Sequence, residues 1–135
     1  MKNTDKYRVT VTNRQTAGDM TDTVTESGTG SFRQSGDTCY ITYDTGAAKV
    51  FIKASPGAVR ITRRGDSSSE TEYRPGKRAY FEYKTAYGSI AMSVLTKEIE
   101  IDAAGDSGSI RLRYSLNAGD EDMQNDVKID WGIKI

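Results

Sequence analysis

Four aromatic residues have the types and positions that could bind a ligand inside a fold. Tyr83 and Tyr87 flank the polar centre of the stretch YKTAYGSI, and Tyr114 and Trp131 occupy apolar positions of two alternating segments. Tyrosine hydroxyls and the indole N–H require hydrogen-bond partners when they are buried. Two interpretations follow: these rings simply fill the interior of a β-structure, or their polar groups point into a ligand cavity. We favour the first.

Arg63 is the charged residue most suggestive of a site. It has the parity of the apolar Val59 and Ile61, so it faces the interior if the strand continues that far. A buried arginine needs a carboxylate or a ligand anion. We favour the alternative, in which Gly65 starts the turn early and Arg63 extends to water from the rim. If Arg63 does point inward, its candidate partners are Asp22 and Glu26.

Several chemistries are excluded or disfavoured by residue types. Histidine is absent, which excludes Ser-His-Asp and Cys-His nucleophile systems and imidazole metal sites. Cys39 is the only cysteine, so no internal disulfide forms, and its parity predicts a buried, inert thiol. The acidic run GDEDMQND lacks the spacing of a calcium loop and is interpreted as a charged turn. We therefore predict no metal, no cofactor and no catalytic residue, and an enzyme is the lowest-ranked hypothesis.

Composition points to a small protein with many half-exposed elements. The chain has 135 residues, of which 36% are apolar and 28% charged, with 19 basic and 19 acidic side chains. That length suits a single domain covering residues 1–135. The zero net charge argues against nucleic-acid and membrane-surface partners. The sequence shows neither a signal-peptide core nor a long apolar span, so we expect a cytoplasmic location.

Alternation of apolar and polar residues predicts an all-β fold. Short alternating runs are separated by turn signals such as Asp44-Thr45-Gly46 and Arg74-Pro75-Gly76. The segment 95–104 is the best helical candidate, but its residues also alternate, so we predict a strand. Gly28 and Gly30 are expected to interrupt their strand at a bend or bulge. About 8–10 short antiparallel strands without long crossovers predict a single up-and-down β-barrel.

Charge is distributed unevenly along the chain. Basic residues concentrate between residues 60 and 78, whereas the C-terminal third is acidic. A basic cluster can form an anion-binding rim, but lysines and arginines also protect strand edges from unwanted pairing. The second interpretation is preferred, because the chain has no RNA-reading aromatic motif.

The chain carries, in this order, the motifs KVFIKAS, VRITRRG, YRPGKRAYFEYKTAYGSIAM and GSIRLRYSL. This ordered set resembles the YwiB-like family of uncharacterised bacterial proteins (domain of unknown function 1934). The matching positions are Tyr73, Gly76, Tyr83, Tyr87, Gly88, Lys49, Lys53, Arg63, Gly65, Gly108 and Tyr114, with Asn125 preceding the last strand. The chain departs from the family pattern at Ala86, where proline is frequent.

This resemblance implies a lipocalin-like (calycin-like) β-barrel and no activity, since the family has no established one. Two functions are carried forward. In the first, the barrel binds a small molecule or an anion through Arg63, Tyr83, Tyr87, Tyr114 and Trp131. In the second, the barrel is filled and acts through its outer surface, for example in a homodimer, with Tyr40 and Tyr80 as exposed contacts. The presence of an interior cavity distinguishes them.

Overall fold

Ten antiparallel strands make up a computed structural model that describes residues 6–134. Helices are absent from this range, so it includes none long and apolar enough to cross a membrane. The strands are β1 (Tyr7–Ala17), β2 (Met20–Ser35), β3 (Thr38–Asp44), β4 (Ala48–Ser55), β5 (Ala58–Gly65), β6 (Ser69–Tyr73), β7 (Arg78–Thr85), β8 (Gly88–Ala104), β9 (Ser107–Ala118) and β10 (Glu121–Ile133). The prediction of an all-β fold is confirmed.

The strands form an up-and-down barrel in which chain neighbours are sheet neighbours. The sheet order is β6-β5-β4-β3-β2-β1-β10-β9-β8-β7, and β1 pairs with β10 from Tyr7↔Ile133 to Thr16↔Gln124. The two outer strands, β6 and β7, meet at a narrow seam. There, Ser68 and Lys84 exchange two backbone hydrogen bonds of 2.8 Å, and Gly76 N donates to Thr96 O at 2.8 Å. The predicted barrel is therefore nearly closed.

The interior is apolar over most of its length because alternate residues of each strand point inward. Val9, Ile41, Ile110 and Leu112 are fully buried within it. Trp131 is also buried and stacks on Phe32 with ring centroids 5.2 Å apart. These contacts form the main hydrophobic core.

A β-bulge in β8 reverses the inward parity of that strand. The register with β9 shifts between Thr96 and Glu98, which leaves Lys97 as the extra residue. Before the bulge, Val94 is buried; after it, the half-buried residues of odd number, Ile99 and Ile101, pack against the core. The segment 95–104 is a strand, as predicted, and the bulge explains why the apolar parity changes along it.

Three local predictions are wrong. Gly28 and Gly30 do not interrupt β2, which runs through both; a Cβ at either position would collide with the backbone carbonyls of β3. The acidic run is mostly strand, because the turn is short and β10 already begins at Glu121. Asn125 consequently lies inside the last strand and does not precede it.

Candidate functional site

The inward positions become polar toward one end of the barrel, where the β1–β2 and β5–β6 turns lie. Along β1, Val9 and Val11 are followed by Asn13; along β5, Val59 and Ile61 are followed by Arg63. A pocket of about 200 Å³ opens among these side chains. It is lined by Val11, Asn13, Glu26, Tyr43, Val50, Ile52, Ile61, Arg63, Ser69, Tyr73, Leu112, Tyr114, Val127 and Ile129.

Arg63 and Glu26 form a bidentate ion pair at this pocket. Arg63 Nη1 donates to Glu26 Oε1 at 3.1 Å, and Nη2 donates to Oε2 at 2.6 Å. The Tyr43 hydroxyl donates to the same Oε1 at 3.0 Å. Both charged side chains keep 28% of their surface exposed, so water reaches the pair. The three groups form one network with no net charge.

The network shifts the pKa values of its members in opposite directions. Hydrogen bonds from Arg63 hold the pKa of the Glu26 carboxyl below its ordinary value, outweighing the opposite effect of burial. Burial, followed by the negative charge of Glu26, raises the pKa of the Tyr43 hydroxyl well above its usual value. Glu26 is therefore ionised and Tyr43 neutral at physiological pH.

The preferred prediction for Arg63 is wrong, because β5 continues to Gly65 and keeps Arg63 on the inner face. The arginine belongs to the pocket rather than extending freely from the rim. Of the two candidate partners, Glu26 makes the ion pair. The alternative prediction, an inward arginine with an internal carboxylate, describes the structure.

A chain of amides lies beside the ion pair. Asn125 Nδ2 donates to the Met123 carbonyl at 3.1 Å, which directs Asn125 Oδ1 toward β1. Asn13 Nδ2 and Gln15 Nε2 donate to that oxygen at 3.1 and 3.3 Å. Asn13 Oδ1 is buried and has no hydrogen-bond partner within residues 6–134. A buried acceptor of this kind is rare in native proteins and calls for an explanation.

Two tyrosines complete the polar wall. The rings of Tyr73 and Tyr114 pack with centroids 4.8 Å apart. Burial raises the pKa of the Tyr73 hydroxyl well above its usual value, and the neighbouring Tyr114 raises it further. Burial also raises the pKa of the Tyr114 hydroxyl. Both hydroxyls therefore stay protonated and can act as hydrogen-bond donors at neutral pH.

Of the residues proposed for ligand binding, Arg63 and Tyr114 line the pocket. Tyr83 is half-buried on β7 and is not among the residues that line the pocket. Trp131 is buried in the apolar core and does not line the pocket. Tyr87 lies in the β7–β8 turn and is 100% exposed, so the expectation that it faces the interior is wrong. The turn starts after Thr85 and ends the alternation that the prediction extended.

Sequence reasoning missed two pocket residues, Asn13 and Tyr43, and also Asn125, which bonds to Asn13. Asn13 shares the inward parity of Val9 and Val11, so the signal that could have found it was present. Tyr43 shares the parity of Cys39, which indicates its inward face but not its hydrogen bond to Glu26. Asn125 was noted only as a motif position, because its strand was expected to begin later.

Three basic residues of the segment between residues 60 and 78, Arg60, Arg63 and Arg74, form ion pairs. Arg60 contacts Glu70 and Glu72 at 3.1 and 3.4 Å on the outer face, and Arg74 also contacts Glu72 at 3.3 Å. In the acidic C-terminal third, Asp126 pairs with Arg111 at 2.9 Å. The pairs of Arg60 and Arg111 join adjacent strands, and these pairs together with that of Arg74 agree with the preferred interpretation of solvated strand surfaces rather than an anion-binding rim.

The pocket combines hydrogen-bonding groups with apolar walls. Within the described residues, no group of three or more cysteine, aspartate and glutamate side chains is arranged to hold a metal ion. What the pocket offers is one paired carboxylate, neutral tyrosines and amides beside apolar walls. Such an arrangement can position a small polar molecule by hydrogen bonds.

Comparison with protein families places this barrel among known sequences. Residues 9–129 match the family model described as domain of unknown function DUF1934. The chain belongs to the DUF1934 family. The resemblance drawn from the sequence motifs is thereby confirmed.

A curated relative and a solved structure agree with the family. The chain is 29% identical over 82 residues to the uncharacterised β-barrel protein YwiB of Bacillus subtilis strain 168, a match that covers 61% of this chain and 58% of that protein. The crystal structure of the ywiB protein from Bacillus subtilis superposes with a TM-score of 0.86 at 21% identity, covering 100% of this chain and 96% of that chain. The structural likeness establishes the β-barrel fold, and the relative is itself uncharacterised.

Proposed function

We propose that this DUF1934 barrel is a non-catalytic protein that binds a small molecule in the pocket at its polar end. The observation that carries the proposal is the combination of a cavity of about 200 Å³ with a converging polar network, in which Asn13 Oδ1 has no partner within the described range. A small barrel either packs its interior solid or holds one small ligand. An unfilled, polar-lined end supports the second arrangement.

The competing proposal, an assembly module, expects a filled interior and exposed aromatic contacts. Tyr80 is 79% exposed, whereas Tyr40 lies under the guanidinium of Arg33 at 4.3 Å. Tyr40 and Tyr80 therefore differ in accessibility, and exposed tyrosines such as Tyr80 and Tyr87 are ordinary on a protein surface. The pocket supports ligand binding over assembly.

Native mass spectrometry of protein purified from its own host tests the proposal. We expect a low-mass component that stays bound under native conditions and is released on denaturation. Protein that carries no such component, combined with no thermal shift in a metabolite screen, would contradict ligand binding.

Two variants locate the binding to the pocket. Ser69→Trp places a large ring in the pocket from β6, whereas Glu70→Trp adds the same ring to the exposed neighbouring position. We expect the bound component to be lost from Ser69→Trp and retained by Glu70→Trp. Circular dichroism and thermal melting establish that each variant is folded, and Asn13→Leu provides a second pocket variant if Ser69→Trp does not fold. Retention by both pocket variants would place the ligand elsewhere.

A further inference from the structure

We infer that the pocket selects a small, uncharged, amphipathic molecule that donates a hydrogen bond to Asn13 Oδ1. The inference rests on the proposed function and adds the chemical class of the ligand. It follows from three properties of the pocket: its charge balance, its orphan acceptor and its walls.

The charge of the pocket is already balanced by its own residues. Both terminal nitrogens of Arg63 are engaged by the two oxygens of Glu26, and Tyr43 adds a third hydrogen bond to that carboxylate. An anionic ligand would have to displace Glu26 from the arginine, and a cationic ligand would have to displace Arg63 from the carboxylate. Either exchange leaves a partly buried charge without its partner, which is costly. An uncharged ligand leaves the pair intact.

The orientation of Asn13 is determined by the amide chain behind it. The Met123 carbonyl can only accept, so Asn125 turns its Nδ2 toward that carbonyl and its Oδ1 toward Asn13. Asn13, which lines the pocket, must then present Nδ2 to Asn125, which leaves its Oδ1 directed away from Asn125, buried and without a partner in the described structure. A ligand N–H or O–H group would satisfy this acceptor.

The remaining walls require an apolar part in the ligand. Beside the polar groups, the pocket is lined by the apolar side chains of Val11, Val50, Ile61 and Leu112. Its volume of about 200 Å³ corresponds to roughly seven water molecules at about 30 Å³ each. This is smaller than the roughly 300–1,000 Å³ that drug-sized ligands occupy. The occupant is therefore a short-chain molecule with one polar end.

An isosteric series tests the charge preference directly. Hexanamide, hexanol, hexanoate and hexylammonium share a chain of similar size and differ in charge and donor groups. Titration of the isotope-labelled protein, followed by amide resonances of β1, β2 and β5, reports binding in the pocket. We expect hexanamide and hexanol to bind at least about tenfold more tightly than either ion, the equivalent of about 1.4 kcal/mol.

The role of Asn13 is tested by Asn13→Leu, which removes the acceptor while keeping a similar volume. We expect hexanamide affinity to fall by about fivefold to tenfold, as loss of one hydrogen bond predicts. Asn117→Leu, on the outer face of β9, makes the same chemical change away from the pocket and should leave affinity unchanged. Equal affinities of wild type and Asn13→Leu would overturn the assignment of the donor.

The outcomes separate the inference from the function on which it rests. Tighter binding of hexanoate or hexylammonium at the pocket would overturn the inference and leave ligand binding intact. If none of the four compounds shifts pocket resonances, the molecule that co-purifies with the protein decides: a neutral amphipathic molecule supports the inference and an ion overturns it. Absence of both probe binding and a co-purified molecule would overturn the inference together with the proposed function.

Discussion

At the residue scale, Arg63 and Glu26 are the most consequential pair in the interior. Their two hydrogen bonds join strands β5 and β2, 37 residues apart in sequence, across the mouth of the pocket. A partly buried pair of this kind contributes more to the free energy of unfolding than a fully exposed ion pair, because water screens it less. The pair also leaves the pocket without net charge, and the proposed ligand selection depends on that balance.

Arg63→Met is expected to lower the free energy of unfolding by about 1–3 kcal/mol, between the values typical of exposed and buried pairs. The loss arises mainly because Glu26 is left half-buried without its cation. Urea unfolding measures the change. Arg60→Met is the matched control, since Arg60 also bonds to carboxylates but its side chain is 50% exposed. This variant should lose less than about 1 kcal/mol of unfolding free energy. Equal losses of unfolding free energy in the two variants would show that the Arg63–Glu26 pair stabilises the fold no more than an exposed ion pair does.

The depressed pKa of Glu26 predicts an acid-dependent loss of stability. Arg63 lowers this pKa below the ordinary value of 4.5, so the folded state binds the proton less readily than the unfolded state. The stabilisation is fully present above the ordinary value and is lost as pH falls through the folded-state pKa. The stability difference between wild type and Glu26→Gln should therefore shrink as pH decreases below about 4.5. Unfolding free energies measured from pH 7 to pH 3 test this, and a pH-independent difference would refute it.

At the scale of elements, the bulge of β8 determines which side chains enter the interior. The inward-facing residues of β8 have even numbers up to Thr96 and odd numbers after Glu98, because Lys97 is one extra residue in the strand. Without the bulge, the strand would turn Ile99 and Ile101 to the outer face, because a shift of one residue reverses every side chain.

Deletion of Lys97 is expected to abolish cooperative folding or to cost more than about 4 kcal/mol, since it exposes the apolar half of β8 or forces its pairing out of register. Lys97→Ala keeps the residue count and loses only an exposed hydrogen bond to Gln124, so its effect should stay within about 0.5 kcal/mol. Chemical denaturation and the dispersion of amide resonances distinguish the two. A folded deletion variant with near-normal stability would show that the bulge is dispensable.

At the scale of the whole molecule, the barrel is closed unevenly. The β1–β10 junction has a ladder of ten residue pairs, whereas the β6–β7 seam has the Ser68–Lys84 bridge and the contacts at Gly76 and Thr96. Strands with few cross-strand hydrogen bonds open at lower free energy than the rest of a fold. The seam also borders the pocket, because Ser69 and Tyr73 lie on β6.

Hydrogen exchange is therefore expected to be at least about tenfold faster in β6 and β7 than in β1 and β10, through local opening of the seam. Ser68 and Lys84 form a hydrogen-bonded antiparallel pair, whose Cα separation of about 5.5 Å suits a disulfide. The double variant Ser68→Cys, Lys84→Cys should slow exchange in β6 and β7 when oxidised and restore fast exchange when reduced. Uniform protection around the barrel of the native protein would argue against a weak seam.

Much of this architecture was predictable from local pattern. Alternation in segments such as Ile110 to Leu116 identifies strands and their apolar faces, because successive side chains of a strand point to opposite sides. The same rule placed Arg63 and Glu26 on inward faces once the strand was allowed to continue. Tyr87 was misplaced because a turn ended the alternation, and nothing in the strand pattern itself distinguishes the last paired residue from the first turn residue.

The sequence by itself determined the class of the fold, the order of the strands and the face on which most side chains lie, since period-two alternation and turn residues are local properties. Only the tertiary structure decided which inward side chains meet, such as Asn13 with Asn125, 112 residues apart, and Arg63 with Glu26. Alternation specifies a side chain's face but not its height within the barrel, which depends on the register of every strand and on the bulge in β8. The polar pocket is a product of that register.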